Sequence, residues 1–221
     1  QANVVAGNSG ALAEYAATKA EQVAKAPAGI DITKAASLPL VGVSALQALT
    51  DHIDLQADQK IFIHGGAGGI GSIAIQIAKS LGAYVATTAT GEGIAYVKDL
   101  GADEVIDYKA QDFSESLSSF DAVFDTVGGE DFNKALAILK PGGVAVSMIA
   151  DAHDELVKDL KVTAVKQMTH VTSDKLSELA KLVEDGVVTP SVGKVFELSQ
   201  IQQAFEARES GKVQGKIIVH L

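Results

Sequence analysis

The chain has 221 residues and a formal net charge of −10, with 47% hydrophobic and 21% charged residues. These values are typical of a globular protein, and the anionic balance makes nucleic acid and anionic lipid unexpected partners. There is no cysteine, which excludes thiolate metal sites. There is also no apolar run near the ~20 residues of a membrane span, so we expect a cytoplasmic protein without membrane association.

Short elements are predicted in the first quarter of the chain. Asp31 and Thr33 are candidate caps of a short helix that ends near Pro39. By pattern alone, residues 11–18 fit a strand or a helix. The other predicted segments are a strand over Gln1–Ala6, a turn over residues 7–10, helices over Asp31–Ser37 and Gly42–Asp51, and a polar link over Asp54–Gln59.

Residues 60–82 predict a strand, a glycine-rich turn and a helix. Lys60–His64 has the β-branched and aromatic composition of a buried strand, and the apolar side chains of residues 70–81 share one helical face. The turn contains G-x-G-x-x-G, with glycines at Gly66, Gly68 and Gly71. Such glycines allow a sharp turn, close approach of a pyrophosphate and tight packing of helix on strand. A second strand over 83–88 completes the βαβ context of a dinucleotide-binding unit; the alternative is a βαβ unit whose glycines only make the turn.

Strands and helices alternate beyond this unit. Strands are predicted over Glu104–Tyr108, Asp121–Thr126, Gly143–Met148 and, at an edge, Val162–Met168. Helical segments are predicted within Gly91–Leu100, Ser114–Ser118 and Asp131–Lys140. This alternation predicts an α/β fold with a Rossmann-type doubly wound parallel sheet.

The last fifty residues change character. An amphipathic helix is predicted over Asp174–Asp185, and a capping box at Ser199–Gln202 predicts the start of another helix. Gly215–Leu221 predicts a final strand. That strand has no obvious partner in a parallel sheet, so we expect it to pair near the N-terminus.

Seven segments match one family in order along nearly the whole chain. They are Gly10–Tyr15, Ala35–Leu49, Ile63–Lys79, Leu100–Tyr108, Phe124–Gly129, Leu139–Val146 and Gly215–Val219. Together they resemble the medium-chain dehydrogenase/reductase superfamily, and within it the zinc-free quinone oxidoreductase (zeta-crystallin-like) branch. The resemblance implies a nicotinamide cofactor and hydride transfer.

The same resemblance implies a division into domains. Members of the family begin with a GroES-like barrel that forms much of the substrate cleft, and most of that barrel is absent here. Residues 1–39 would be its last part, residues 40–188 the dinucleotide-binding Rossmann domain, and residues 189–221 the return to the barrel. We therefore expect barrel remnants at both ends, and a gene product that continues upstream of Gln1.

Candidate cofactor-binding residues also follow from the resemblance. They are Gly66, Gly68, Gly69, Ile70 and Gly71 at the pyrophosphate, Thr88 and Tyr108 at the adenosine ribose, Val127 near the ring, and Ser44, Met148, Ile149, Ala150, Gln167, Met168 and Thr169 on the nicotinamide side. Core packing is the alternative for the apolar members. No catalytic residue is assigned, the histidines lack metal-ligand spacing, and Asp125 at a strand end is a candidate orienting residue.

The expected activity is zinc-independent hydride transfer from NADPH to a quinone, enone or enal. One alternative is a relative of the zinc-type alcohol dehydrogenases, whose ligands would lie in the missing barrel. Another is a truncated dinucleotide-binding module without catalysis.

The end of the second strand predicts the cofactor. An NAD-preferring fold usually carries Asp or Glu ~20 residues after the motif, but residues 86–90 contain no acid and Glu92 comes slightly later. Thr88 and Tyr108 are candidate hydrogen-bond donors to a 2′-phosphate, with Lys109 adding positive charge. We expect NADP(H) to be preferred, with NAD(H) possible.

The resemblance and the open edge of the predicted sheet also indicate an oligomer. An edge strand with unpaired N–H and C=O groups favours pairing with its copy across a two-fold axis. We expect a homodimer through the edge strand near residues 162–171.

Overall fold

The structure is a computed structural model that describes residues 10–211 and 213–221. The strand predicted over Gln1–Ala6 lies outside these residues. The chain divides into two compact units, one formed by Gln1–Ser44 with His170–Leu221 and the other by Ala45–Thr169.

Strands and helices alternate from residue 60 onward. The strands are β1 (Lys60–His64), β2 (Tyr84–Ala89), β3 (Glu104–Asp107), β4 (Phe120–Asp125), β5 (Leu139–Ser147), β6 (Thr163–Lys166), β7 (Val192–Glu197) and β8 (Lys216–His220). The α-helices are α1 (Ile32–Ala36), α2 (Pro39–Gln47), α3 (Gly69–Ser80), α4 (Glu92–Asp99), α5 (Phe113–Ser116), α6 (Glu130–Ala137), α7 (Asp154–Leu160), α8 (Ser173–Glu184) and α9 (Ile201–Glu209). A π-helical segment continues α2 over Ala48–His52.

The unit formed by Ala45–Thr169 is built on one parallel sheet with strand order β3-β2-β1-β4-β5-β6. Ile61, Phe62 and Ile63 of β1 are fully buried, as expected for a central strand covered on both faces. Strands β1 to β3 follow one another toward one edge of the sheet, and β4 to β6 follow one another toward the opposite edge. The strand order therefore reverses between β1 and β4, and such a switch point places a ligand crevice at the C-terminal ends of these strands. The predicted Rossmann-type doubly wound sheet is confirmed.

An aromatic cluster fixes one face of this sheet. The ring of Phe62 lies 4.7 Å from that of Phe113 on α5 and 6.5 Å from that of Phe120 on β4. The ring of His64 stacks next to Phe62, with centroids 5.7 Å apart. Burial of each such phenylalanine contributes roughly 1.5–3 kcal/mol to the free energy of folding. This packing stabilises the position of the C-terminal end of β1.

The other unit contains β7, α9 and β8, and the two strands pair in parallel. Two helices of this unit have side-chain caps: Asp31 accepts a hydrogen bond from Thr33 N at 2.7 Å before α1, and Thr172 accepts one from Lys175 N at 3.3 Å before α8. Across residues 10–211 and 213–221, no helix has the length and apolar character needed to cross a membrane.

Several predicted boundaries are wrong for physical reasons. The helix predicted over Gly42–Asp51 begins earlier than expected: Pro39 is the first residue of α2, because proline lacks an N–H and suits the first helical turn. The helix predicted over Asp131–Lys140 is too long: α6 ends at Ala137, and Ile138 O instead accepts a hydrogen bond from Phe120 N at 3.0 Å.

The last predicted elements also differ in detail. The capping box is formed by Glu197 and Gln200, not by Ser199 and Gln202. The prediction missed β7, because its side chains are mostly exposed and carry no apolar alternation. Within the described residues β8 pairs with β7, whereas the expected pairing near the N-terminus falls partly on residues outside them.

Candidate functional site

The glycine-rich loop joins β1 to α3 by a tight turn. Gly65 has a φ of +87°, and Gly68 N donates to Gly65 O over 3.0 Å. A Cβ at Gly71 would collide with the Gly65 carbonyl and lie 2.7 Å from the Cα of Gly66. Loop and helix therefore meet backbone to backbone, which only glycine permits at position 71.

Two threonines of β2 support this loop. The Thr88 hydroxyl accepts from Gly65 N at 2.9 Å, and the Thr88 carbonyl accepts from Gly66 N at 3.1 Å. The Thr87 hydroxyl donates to Ile63 O at 2.6 Å and fills the space that a Cβ at Gly66 would need. Thr88, expected at the ribose, is thus buried and shapes the loop, and Thr87 is a contributor that the sequence pattern missed.

The first turn of α3 presents backbone amides at the edge of the sheet. Gly68 precedes the helix in extended conformation, and the first bond along the helix runs from Ser72 N to Gly68 O at 3.0 Å. The amides of Gly69, Ile70 and Gly71 come before it, and such amides have no partner within a helix. Together with the positive end of the helix dipole they suit a pyrophosphate.

A fully buried carboxylate, Asp125, lies at the end of β4. Its Oδ1 lies 3.0 Å from His64 Nδ1, and its Oδ2 accepts from Ser147 Oγ at 2.6 Å. The amide of Val127 donates to Oδ1, and that of Gly128 to both oxygens, each over 3.1 Å. Because an ionised carboxylate only accepts, His64 Nδ1 carries a proton. Asp125 therefore ties together the ends of β1, β4 and β5.

The charge of Asp125 is stabilised by these partners. Burial acts to raise the pKa of Asp125, but the hydrogen bonds from His64 and Ser147 and from two backbone amides outweigh it. The pKa of Asp125 is consequently held below its ordinary value of 3.8. The site thus contains a fixed negative charge at neutral pH.

Large side chains stand exposed where four strands end. Tyr108 after β3 is 55% exposed, Val127 after β4 is 50%, Ile149 after β5 is 54% and Met168 after β6 is 74%. The C-terminal ends of parallel strands share one edge of the sheet, so these side chains lie along the same edge as the glycine-rich loop. Their exposure favours ligand contact over the alternative of core packing.

The remaining candidates occupy less open positions. Gln167 is buried and its backbone amide donates to Ser147 O at 2.8 Å. The carbonyl of Met168 accepts from Gln47 Nε2 at 3.4 Å. Ser44 belongs to the other unit, where it is buried and its hydroxyl donates to Leu40 O at 2.8 Å.

The backbone of the predicted nicotinamide side is held in place. Met148 N donates to Asp125 O at 3.0 Å, while Ile149 and Ala150 donate to Ser147 Oγ. Thr169 is the last residue of the Ala45–Thr169 unit. Ser147 itself was not among the predicted residues; the available signal was a serine at the end of an otherwise apolar strand.

A groove of about 320 Å³ opens beside Tyr108, between the β3–α5 connection and α6. Lys109 and Lys134 both line it. Nζ of Lys134 lies 3.0 Å from Asp112 and 3.1 Å from Asp131, so two carboxylates neutralise its charge. Lys109 is therefore the better candidate in this groove for an added phosphate charge.

The histidine and carboxylate side chains in the described part of the chain do not form a metal centre. No group of three or more of them lies close enough together to hold a metal ion.

Known proteins are similar to this chain in sequence. The zinc-binding dehydrogenase family matches residues 100–219, just over half of the chain. The chain is 35% identical over 217 residues to the chloroplastic NADPH-dependent alkenal/one oxidoreductase of Arabidopsis thaliana, a match covering 96% of this chain and 53% of that protein. It is 31% identical over 243 residues to the mitochondrial NAD(P)H oxidoreductase RTN4IP1 of Danio rerio, covering 96% and 63%.

Solved structures agree with these sequences. The quinone oxidoreductase of Coxiella burnetii superposes with a TM-score of 0.84 at 32% identity, covering 91% of this chain and 65% of that one. The chain thus spans between about half and two thirds of the length of these relatives. By its family match, its relatives and its fold, the chain belongs to the zinc-binding dehydrogenases of the medium-chain dehydrogenase/reductase superfamily.

Proposed function

We propose that this chain binds NADPH and serves an enzyme that transfers hydride to a quinone or to an enone or enal. The observation that carries the proposal is the backbone contact of Gly71 with Gly65 and Gly66, which brings the first amides of α3 to the ligand edge of the sheet. The substrate class is supported by similarity to an alkenal/one oxidoreductase and to a quinone oxidoreductase.

The preference for NADPH is supported by the end of β2. That strand ends at Ala89, and the following Thr90 and Gly91 provide no carboxylate to repel a 2′-phosphate. Tyr108 and Lys109 lie beside the groove after β3, where a hydroxyl and an ammonium group are available. Glu92, exposed at the start of α4, is the ribose ligand that an NADH-preferring enzyme would use.

The chain's contribution to the reaction is orientation. A bound reduced nicotinamide supplies the hydride. The loops that carry Val127 and Met148–Ala150 would fix the ring, while the amides of α3 would hold the pyrophosphate. Water or a residue of the barrel would supply the proton.

Zinc is not required in this proposal. The chain contains no cysteine to provide a thiolate ligand, and zinc sites in dehydrogenases of the alcohol-oxidising type use Cys and His ligands. The family description mentions zinc, so the metal content of the full-length protein is a necessary part of any test.

The domain division and the oligomer remain proposals. The compact units divide at Ser44 and at Thr169, whereas the resemblance implies barrel segments over 1–39 and 189–221. A homodimer through β6 is supported by the position of this strand at the end of the sheet order. Cytoplasmic location also remains a prediction, since two relatives are described as mitochondrial and chloroplastic.

Binding is the first test. Titration of the chain with NADPH and NADH, followed by cofactor fluorescence, should show saturable binding of both and tighter binding of NADPH. The proposal would be refuted if neither NADPH nor NADH bound to the chain.

A further inference from the structure

We infer that Asp125 positions both loops on the nicotinamide side of the cofactor site, and that it acts on one of them through the hydroxyl of Ser147. This inference rests on the proposed function for its consequence in catalysis. The positioning itself follows from contacts within the Ala45–Thr169 unit.

The first loop is held directly. Residues 126–129 follow Asp125, and the amides of Val127 and Gly128 both donate to its carboxylate over 3.1 Å. Gly128 has a φ of +79°, a backbone conformation that glycine adopts readily and other residues rarely do. The charge of Asp125 thus fixes the backbone that presents the half-exposed side chain of Val127.

The second loop is held through a relay. Ser147 is fully buried and lies opposite Asp125 in the register of β4 and β5. Its hydroxyl has one proton, which it donates to Asp125 Oδ2 at 2.6 Å. Its lone pairs are therefore turned toward the amides of Ile149 at 3.1 Å and Ala150 at 2.9 Å. The carboxylate thereby orients the hydroxyl oxygen that accepts from the amides of Ile149 and Ala150 in the turn after β5.

The two loops are also packed against each other. A Cβ at Gly128 would lie 2.9 Å from Cγ2 of Ile149 and 3.9 Å from Cβ of Ala150. A shift of either loop therefore moves the other. Asp125 also contacts His64 at the end of β1. One buried carboxylate therefore connects the ends of β1, β4 and β5 with the loops that follow β4 and β5.

The test uses Ser147→Ala, which removes the relay but leaves Asp125 and its other partners. The amides of Ile149 and Ala150 lose their acceptor, so their hydrogen exchange should accelerate about tenfold or more. With the proposed function in place, single-turnover hydride transfer should slow by about 10- to 100-fold because the ring is held less well. The dissociation constant for NADPH should change less than about threefold, because the glycine-rich loop is untouched.

Controls separate positioning from general destabilisation. Ser37→Ala removes another buried hydroxyl, which donates to Lys34 O at 2.7 Å in the other unit, and should change neither exchange at 149–150 nor turnover. Ser147→Thr keeps the hydroxyl and should restore most of the rate. If Ser147→Ala does not fold, Ser147→Cys fills the same volume with a poor hydrogen-bonding group and should reproduce its effects.

Three results would overturn the inference. The first is unchanged exchange at 149–150 in the variant, and the second is fast exchange of these amides in the unaltered chain. The third is a slower reaction that is wholly accounted for by weaker NADPH binding. If the unaltered chain binds no NADPH, the proposed function fails, but the exchange measurement still decides whether Asp125 and Ser147 position the loop.

Discussion

The hydroxyl of Thr87 on β2 occupies the space that a Cβ at Gly66 would enter, while it donates to the carbonyl of Ile63. The glycine of the loop and the threonine of the neighbouring strand are therefore complementary in shape. Thr87 lies twenty-one positions after Gly66 in the sequence. Because the two side-chain positions compete for the same space, a smaller residue at position 87 should compensate for a larger one at position 66.

We predict that Gly66→Ala weakens NADPH binding by about 5- to 150-fold, because overpacking of this kind costs about 1–3 kcal/mol. Adding Thr87→Ala should recover part of the affinity, since it removes the colliding hydroxyl. Cofactor fluorescence titration measures both effects. Equal affinities for the single and the double variant would show that the Thr87 contact does not limit the loop.

Gly71→Ala and Gly10→Ala provide the contrast. At Gly71 the obstacles are backbone atoms of Gly65 and Gly66, so Thr87→Ala should not rescue that variant. At Gly10 there is no atom within 4 Å of a new Cβ, and its substitution should leave affinity unchanged.

Cofactor preference should depend on two residues after β3. We predict that Tyr108→Phe and Lys109→Ala each weaken NADPH binding while leaving NADH binding nearly constant. Each lost hydrogen bond or charge contact contributes ~1 kcal/mol, so the two substitutions together should raise the dissociation constant for NADPH by about 10- to 100-fold at most. Parallel titrations with both reduced cofactors measure it. Tighter binding of NADH by the unaltered chain would instead identify Glu92 as the ribose ligand.

Asp125 should make stability depend on acid pH. Its folded-state pKa lies below 3.8, so the stabilisation is complete above the ordinary value and is lost as the pH falls through the lowered one. The difference in free energy of unfolding between the unaltered chain and Asp125→Asn should therefore be constant from about pH 7 to 5 and shrink below about pH 4. Urea unfolding at each pH measures this. A difference that grows toward low pH would be incompatible with a stabilised charge.

The direction of backbone amides along β6 predicts how the proposed dimer can be broken. Gln167 N donates to Ser147 O on β5, and amide direction alternates along a strand, so Val165 N also faces β5 while Ala164 N faces the open edge. Ala164→Pro should therefore be tolerated by the fold but abolish pairing across the edge. Sedimentation velocity measures the oligomer, and Val165→Pro, which should damage the sheet itself, is the comparison. A folded Ala164→Pro variant that remains dimeric would exclude this interface.

The sequence predicted the elements that are specified locally. Lys60–His64 is β1 with the expected bounds, and the apolar period of residues 70–81 became α3. Both were predictable because a central parallel strand is apolar throughout and an amphipathic helix has a visible period. The capped helix beginning after Asp31 was found in the same way.

The residues that arrange the site depend instead on the order of strands. Thr87 acts because it lies beside Ile63, His64 because it lies beside Asp125, and Ser147 because it lies beside Asp125 on the other side. These neighbours are separated by more than twenty residues in sequence. Local periodicity has no information on such registers, so the partners of Ser147 and Thr87 could only be recognised in the folded sheet.

The most direct test of the proposed reaction uses the full-length protein and measures NADPH oxidation with a quinone and with an enone, NADP⁺ reduction with a simple alcohol, and the metal content. We predict turnover with the quinone or the enone, a preference for NADPH over NADH, and activity that persists after treatment with a zinc chelator. Zinc-dependent oxidation of the alcohol, without reduction of either conjugated carbonyl compound, would contradict the account.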